Sequence, residues 1–110
     1  MKLHEIELLE QYAKAKKDGI KPFEIRKNDR DFKVGDLVKY NIVERYTEPY
    51  PLNRTHTIES QNKELTNFFD NRVFKITYIT DYEQKDGYVV FVDKSYYIGD
   101  WYEKRKSERD

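Results

Sequence analysis

The chain has 110 residues, with 21 Lys and Arg balanced by 21 Asp and Glu, so it is not a uniformly basic nucleic-acid binder. It contains no cysteine, which excludes disulfides, thiol chemistry and thiolate zinc sites. No apolar run approaches the length of a membrane span or the apolar stretch of a secretion signal, and the cytoplasm is the compartment expected.

Charged residues make up 38% and hydrophobic residues 37%, with a mean hydropathy of −1.04, a balance close to that of disordered chains. Aromatic residues at 15%, among them ten tyrosines, argue for folding, because a tyrosine ring buries a large area while its hydroxyl finds a partner. The expectation is one domain over residues 1–110 with a thin, tyrosine-rich core. Charge is unevenly spread. Residues 14–45 carry ten Lys and Arg against six Asp and Glu, whereas residues 66–102 carry four against six. A local basic region in a neutral whole suits a small anion or a short nucleic-acid segment.

In chain order, Leu3, Ile6, Leu9, Tyr12 and Ala13 fall at three- and four-residue steps, which predicts a helix over 3–17. Glu5 and Glu7 lie early and Lys14, Lys16 and Lys17 late, in accord with the helix dipole. Gly19 is placed as a left-handed C-cap, and Pro22 stops continuation. Residues 22–27, PFEIRK, alternate as a strand, with Phe23 and Ile25 expected inside and Glu24 and Arg26 outside. Asn28–Asp31 and Gly35-Asp36 read as turns.

Three further strands are predicted: one carrying Val38, Tyr40 and Ile42, one carrying Phe74, Ile76 and Tyr78, and one at YVVFVD after the turn signal Asp86-Gly87. Residues 46–70 read as an insertion or long loop with a short helix near Glu64–Phe69. Trp101 is expected to dock on the core or on a partner, and residues 103–110 form a charged tail. The element order predicts an α+β fold, a small curved sheet or β-barrel covered by the N-terminal helix.

The pattern Gly19-x-Lys21-x-x-x-x-Arg26 at a helix-to-strand junction resembles the signature of ASCH domains, which belong to the PUA-like superfamily of small β-barrels. The longer string HEIELLEQYAKAKKDGIKPFEIRKNDRDFKVGD, with Thr77–Thr80 and Gly87–Val90, more closely resembles a short ASCH-like family of unknown function, numbered 3850, common in phage and bacterial genomes. The likeness spans residues 4–45 and 72–92 and leaves out 46–70 and the end after Lys94. It implies a PUA-like barrel whose cleft, lined by this motif, binds RNA or a nucleotide. Some ASCH proteins are amidohydrolases that deacylate modified cytidine with a lysine, a threonine and a glutamate. Lys21 matches the lysine, but Glu24 stands where the threonine hydroxyl is needed, so that activity is not carried over.

The candidate ligand-binding set is therefore Lys21, Glu24, Arg26, Asn28, Asp29 and Arg30. Arg26 offers a planar fork and Lys21 a mobile charge to one anion, Glu24 orients the guanidinium or accepts from a base amino group, and the turn residues add polarity. Tyr40, Tyr46, Tyr50, Phe68 and Trp101 are candidate stacking surfaces, worth about 1–3 kcal/mol per base. The plain alternative for Glu24 and Arg26 is an ion pair on an exposed strand, worth under about 1 kcal/mol.

Two other functions remain. One is a nucleoside amidohydrolase with Lys21 activated and Glu24 as general acid/base. The other is an accessory protein of phage or mobile-element type that meets a protein partner through 46–70 and Trp101. His4 and His56 lack ligand spacing, so neither metal nor cofactor is expected; capping or packing is the expectation for His4.

Overall fold

The computed structural model of the protein describes residues 1–96. The elements are β1 (Leu3–Leu9), α1 (Glu10–Lys17), β2 (Phe23–Lys27), β3 (Leu37–Thr47), β4 (Thr55–Glu59), α2 (Lys63–Asp70), β5 (Val73–Thr80) and β6 (Tyr88–Tyr96). The expected N-terminal helix begins seven residues late, because residues 3–9 form a strand. The same stretch that offers a helical stripe also alternates, with His4, Ile6 and Leu8 buried and Glu5 and Glu7 exposed. Parallel pairing of Leu3–Leu9 with Leu37–Val43 selects the two-residue period. The helical remainder ends as the glycine predicts. Gly19 has φ 77°, its N–H donates to Lys16 O at 3.1 Å, and Ile20 N–H donates to Ala15 O at 2.9 Å, the paired bonds of a Schellman cap.

The six strands form one mixed sheet in the order β1-β3-β5-β6-β2, with β4 paired to β3. Leu37 pairs with both Leu3 and Lys75, and Val43 with both Leu9 and Glu59, so β5 and β4 share the side of β3 opposite β1. Residues 46–70 are thus largely ordered structure. The end of β3 and β4 make a hairpin arm, and α2 follows, near where the sequence predicts a helix. Asn62 caps α2, its Oδ1 accepting from Leu65 N–H at 3.1 Å. Leu65 and Phe69 from α2 enter the core beside Tyr40, Phe74, Ile76 and Phe91.

That core is built mainly from phenylalanine and aliphatic side chains, each contributing about 1.5–3 kcal/mol on burial. Tyr40 is the one buried tyrosine among the described residues, which corrects the expectation of a tyrosine-rich interior. Tyr78, predicted to point inward with Phe74 and Ile76, is exposed because a bulge between Ile76 and Tyr78 shifts the register. The sheet is not closed into a barrel: among the described residues no ladder joins β1 to β2, the two ends of the strand order. No helix is long and apolar enough to cross a membrane among the described residues. Trp101 and the charged tail lie outside the described residues.

Candidate functional site

The seam between the β1 and β2 edges holds a cleft of about 820 Å³. Strand β2 forms one wall, in the opposite orientation to the one its apolar spacing predicts. Glu24 is 2% exposed, whereas Phe23 is 38% and Ile25 54% exposed. A buried carboxylate is costly unless ion-paired and hydrogen-bonded, and three cations meet this one. Glu24 Oε2 lies 3.4 Å from Lys16 Nζ and 3.1 Å from Lys21 Nζ, and Oε1 lies 3.3 Å from an Arg26 amino nitrogen. Pairing with β6 holds β2 in register, setting Glu24 beside Phe91 and Arg26 beside Val89.

Arg26 does more than pair. The same nitrogen donates to the Glu7 carbonyl oxygen at 2.7 Å, so this side chain reaches from β2 across the seam to β1. Lys21, just before β2, is held between two rings, its Nζ 5.1 Å from the Tyr12 centroid and 5.3 Å from that of Phe23. The Lys21 and Arg26 side chains keep partial exposure and line the cleft.

Behind Glu24 the network continues inward. Lys16 Nζ is 2.7 Å from Asp93 Oδ1, and the Tyr40 hydroxyl donates to Asp93 Oδ2. Burial pushes the Asp93 carboxyl above the ordinary aspartate value, with Lys16 opposing. Burial, followed by the Asp93 charge, raises Tyr40 well above the ordinary phenol value. The network formally contains Lys16, Lys21 and Arg26 against Glu24 and Asp93, an excess of one positive charge, with Lys16 and Asp93 buried behind the cleft.

Of the residues singled out in the sequence, Lys21, Glu24 and Arg26 converge, and Asp29 and Arg30 stand at the cleft rim. Asn28 does not line the cleft; its Oδ1 accepts from Phe32 N–H at 2.9 Å, and its own N–H donates to Gly87 O at 2.7 Å. Its work is to close the turn that delivers Phe32 to the core. His4 packs within β1 rather than capping a helix. Its Nε2 is 2.8 Å from Asp36 Oδ2, and its ring centroid is 4.6 Å from that of Phe32. Asp36 also accepts from the N–H groups of Lys2 and Lys33 at 3.1 Å.

Lys16 and Asp93 escaped the sequence reading, although each left a signal. Lys16 lies three residues after buried Ala13, and Asp93 continues the inward positions Val89 and Phe91. A charge on an inward register announces a buried pair. Among the described residues no group of three His, Cys, Asp or Glu side chains is arranged to hold a metal ion.

Among curated proteins none matches the chain. A family match covers residues 3–92, taking in both edges of the cleft, Lys16 and Glu24 of the buried network, and the β3–β4 arm. The chain therefore belongs to the DUF3850 family, a domain of unknown function.

Proposed function

We propose that the β1–β2 cleft binds RNA or a nucleotide in the manner of ASCH and PUA-like domains, with the curled sheet as an unclosed relative of their barrel. The observation that carries this reading is the convergence of the partly exposed Lys21 and Arg26 on Glu24, in a network with an excess of one positive charge. Two cations already oriented by a buried carboxylate can receive a phosphate without first being ordered, which lowers the entropic cost of binding. Glu24 then fixes their directions, while Asp29 and Arg30 supply polar contacts at the rim. Ultraviolet cross-linking and calorimetric titration with a nucleotide mixture and short RNA test the proposal. Binding should weaken steeply with salt and disappear in the double variant Lys21→Glu, Arg26→Glu. Binding that survives this reversal would refute it.

One distance favours a second reading, hydrolysis of an acylated nucleoside: Lys21 Nζ lies 3.1 Å from Glu24 Oε2, within proton-transfer reach. Water would be added across the amide, giving a free acid and the exocyclic amine. Release of acid from acylated cytidine, abolished in Lys21→Ala, distinguishes this activity from binding alone.

A further inference from the structure

We infer that the cleft is one half of a longer trough whose ligand is a single-stranded oligonucleotide rather than a free mononucleotide, a reading that rests on the nucleotide-binding proposal above. A second hollow of about 630 Å³ adjoins the first, and Leu9, Val43 and Arg45 line both. The two hollows therefore share a boundary at the Leu9–Val43 pair, where β1 meets β3.

The chemistry along this path repeats. Lys21 and Arg26 supply the first cationic point. Arg26 is anchored to Glu7, which pairs with Asn41 of β3. Arg45 follows four residues farther along β3, about 13 Å at the rise of a strand. That span is too long for one phosphate and short enough for a strand of a few nucleotides, which advances ~3.4 Å per nucleotide along its axis when stacked and more when extended. Lys14 stands in the second hollow, and neither it nor Arg45 makes an ion pair among the described residues.

The second hollow also contains a stacking surface. Tyr46 is half exposed there, and its ring rests on His56 with centroids 5.0 Å apart and planes at 26°. A ring backed on one side and open on the other is a platform for a base. The hollow also holds two carboxyl groups, Glu10 and Glu44; Glu10 accepts from the Ser60 hydroxyl, and its proximity raises the Glu44 carboxyl above its ordinary value.

The test compares uridine monophosphate with a labelled uridylate of about four nucleotides, by anisotropy and calorimetry on the full chain. The oligomer should bind at least about tenfold more tightly. Arg45→Ala and Tyr46→Ala should each lower oligomer affinity about tenfold more than mononucleotide affinity, and Tyr46→Phe should retain the oligomer. Equal affinity for the two lengths, or an oligomer indifferent to both alanine variants, overturns the trough and leaves the cleft reading standing. Failure of both lengths to bind overturns the two together. An acidic peptide that binds in an Arg45-dependent way where the oligomer does not also overturns it, because the groove would then serve a polypeptide.

Discussion

Lys16 and Asp93 form a buried ion pair directly behind the cleft, with Nζ 2.7 Å from Oδ1 and side chains 3% and 1% exposed. Taking two charges out of water costs several kcal/mol per ion, and their attraction repays this only with good geometry and further hydrogen bonds. Both conditions hold here, since Lys16 also reaches Glu24 and Asp93 also accepts from Tyr40. Removing one partner leaves the other stranded. Asp93→Ala should lower unfolding free energy by about 3–5 kcal/mol, whereas Lys16→Met combined with Asp93→Leu should cost much less. Urea denaturation of the three proteins checks this, and equal losses in single and double variants would contradict it.

Asp36 gives the fold a pH dependence of definite sign. Burial raises its pKa, but the hydrogen bond with His4 and the N–H groups of Lys2 and Lys33 outweigh that effect, leaving the carboxyl below its ordinary value of 3.8. The unfolded chain therefore binds the proton more readily than the folded one. The stabilisation is complete above the unfolded value and is lost as pH falls through the folded value. Asp36→Asn should thus destabilise the protein at neutral pH, with the difference from the parent shrinking below about pH 4. Midpoints of denaturation between pH 7 and pH 3 read it directly; a gap that widens on acidification would be the wrong sign. Asp93, raised by burial, acts oppositely: its ionisation weakens the fold as pH rises through its elevated value.

Much of this architecture is legible in the local sequence. Gly19, Gly87, the helix after residue 62, and the inward face of β3 follow from local chemistry. The failures share one cause, tertiary partners choosing between two periodicities that the sequence allows. Leu3, Ile6 and Leu9 fit a helix, and His4, Ile6 and Leu8 fit a strand; only the parallel partner β3 decides. On β2 the alternation points Phe23 and Ile25 inward, yet the inner side holds Glu24 because Lys16, Lys21 and Arg26 converge on it. Lys21, Glu24 and Arg26 were legible as a set from motif spacing. Their link to Lys16 and Asp93 was not, since 69 residues separate Glu24 from Asp93 in the chain.

Gly19 tests the helix exit that presents Lys21. Its φ of 77° lies in the left-handed region, and a Cβ added there would meet nothing within 4 Å. Any cost of substitution is therefore conformational, with no contribution from crowding. Gly19→Ala should cost about 1–2 kcal/mol and Gly19→Asn less, since asparagine tolerates this conformation better. In thermal unfolding the alanine variant should melt roughly 4–8 °C or more below the parent. Identical melting of the alanine and asparagine variants would point away from backbone strain.

Arg26 is where stability and binding meet. One of its nitrogens bonds both the Glu7 carbonyl of β1, at 2.7 Å, and the Glu24 carboxylate on its own strand, at 3.3 Å. The fork of a guanidinium keeps other donors for a ligand while doing this, whereas a lysine ammonium on a shorter reach cannot hold the carbonyl, the carboxylate and a phosphate in one fixed geometry. Arg26→Lys preserves the charge and should nonetheless loosen the seam, speeding amide exchange in β1 and β2 and costing about 1 kcal/mol of stability. Nucleotide affinity should fall about tenfold or more, since a charged hydrogen bond is worth about 1.5–3 kcal/mol. Hydrogen exchange and titration on the same variant separate the effects: slow exchange with weakened binding would mean that Arg26 serves the ligand alone, and fast exchange with intact binding would remove it from the site.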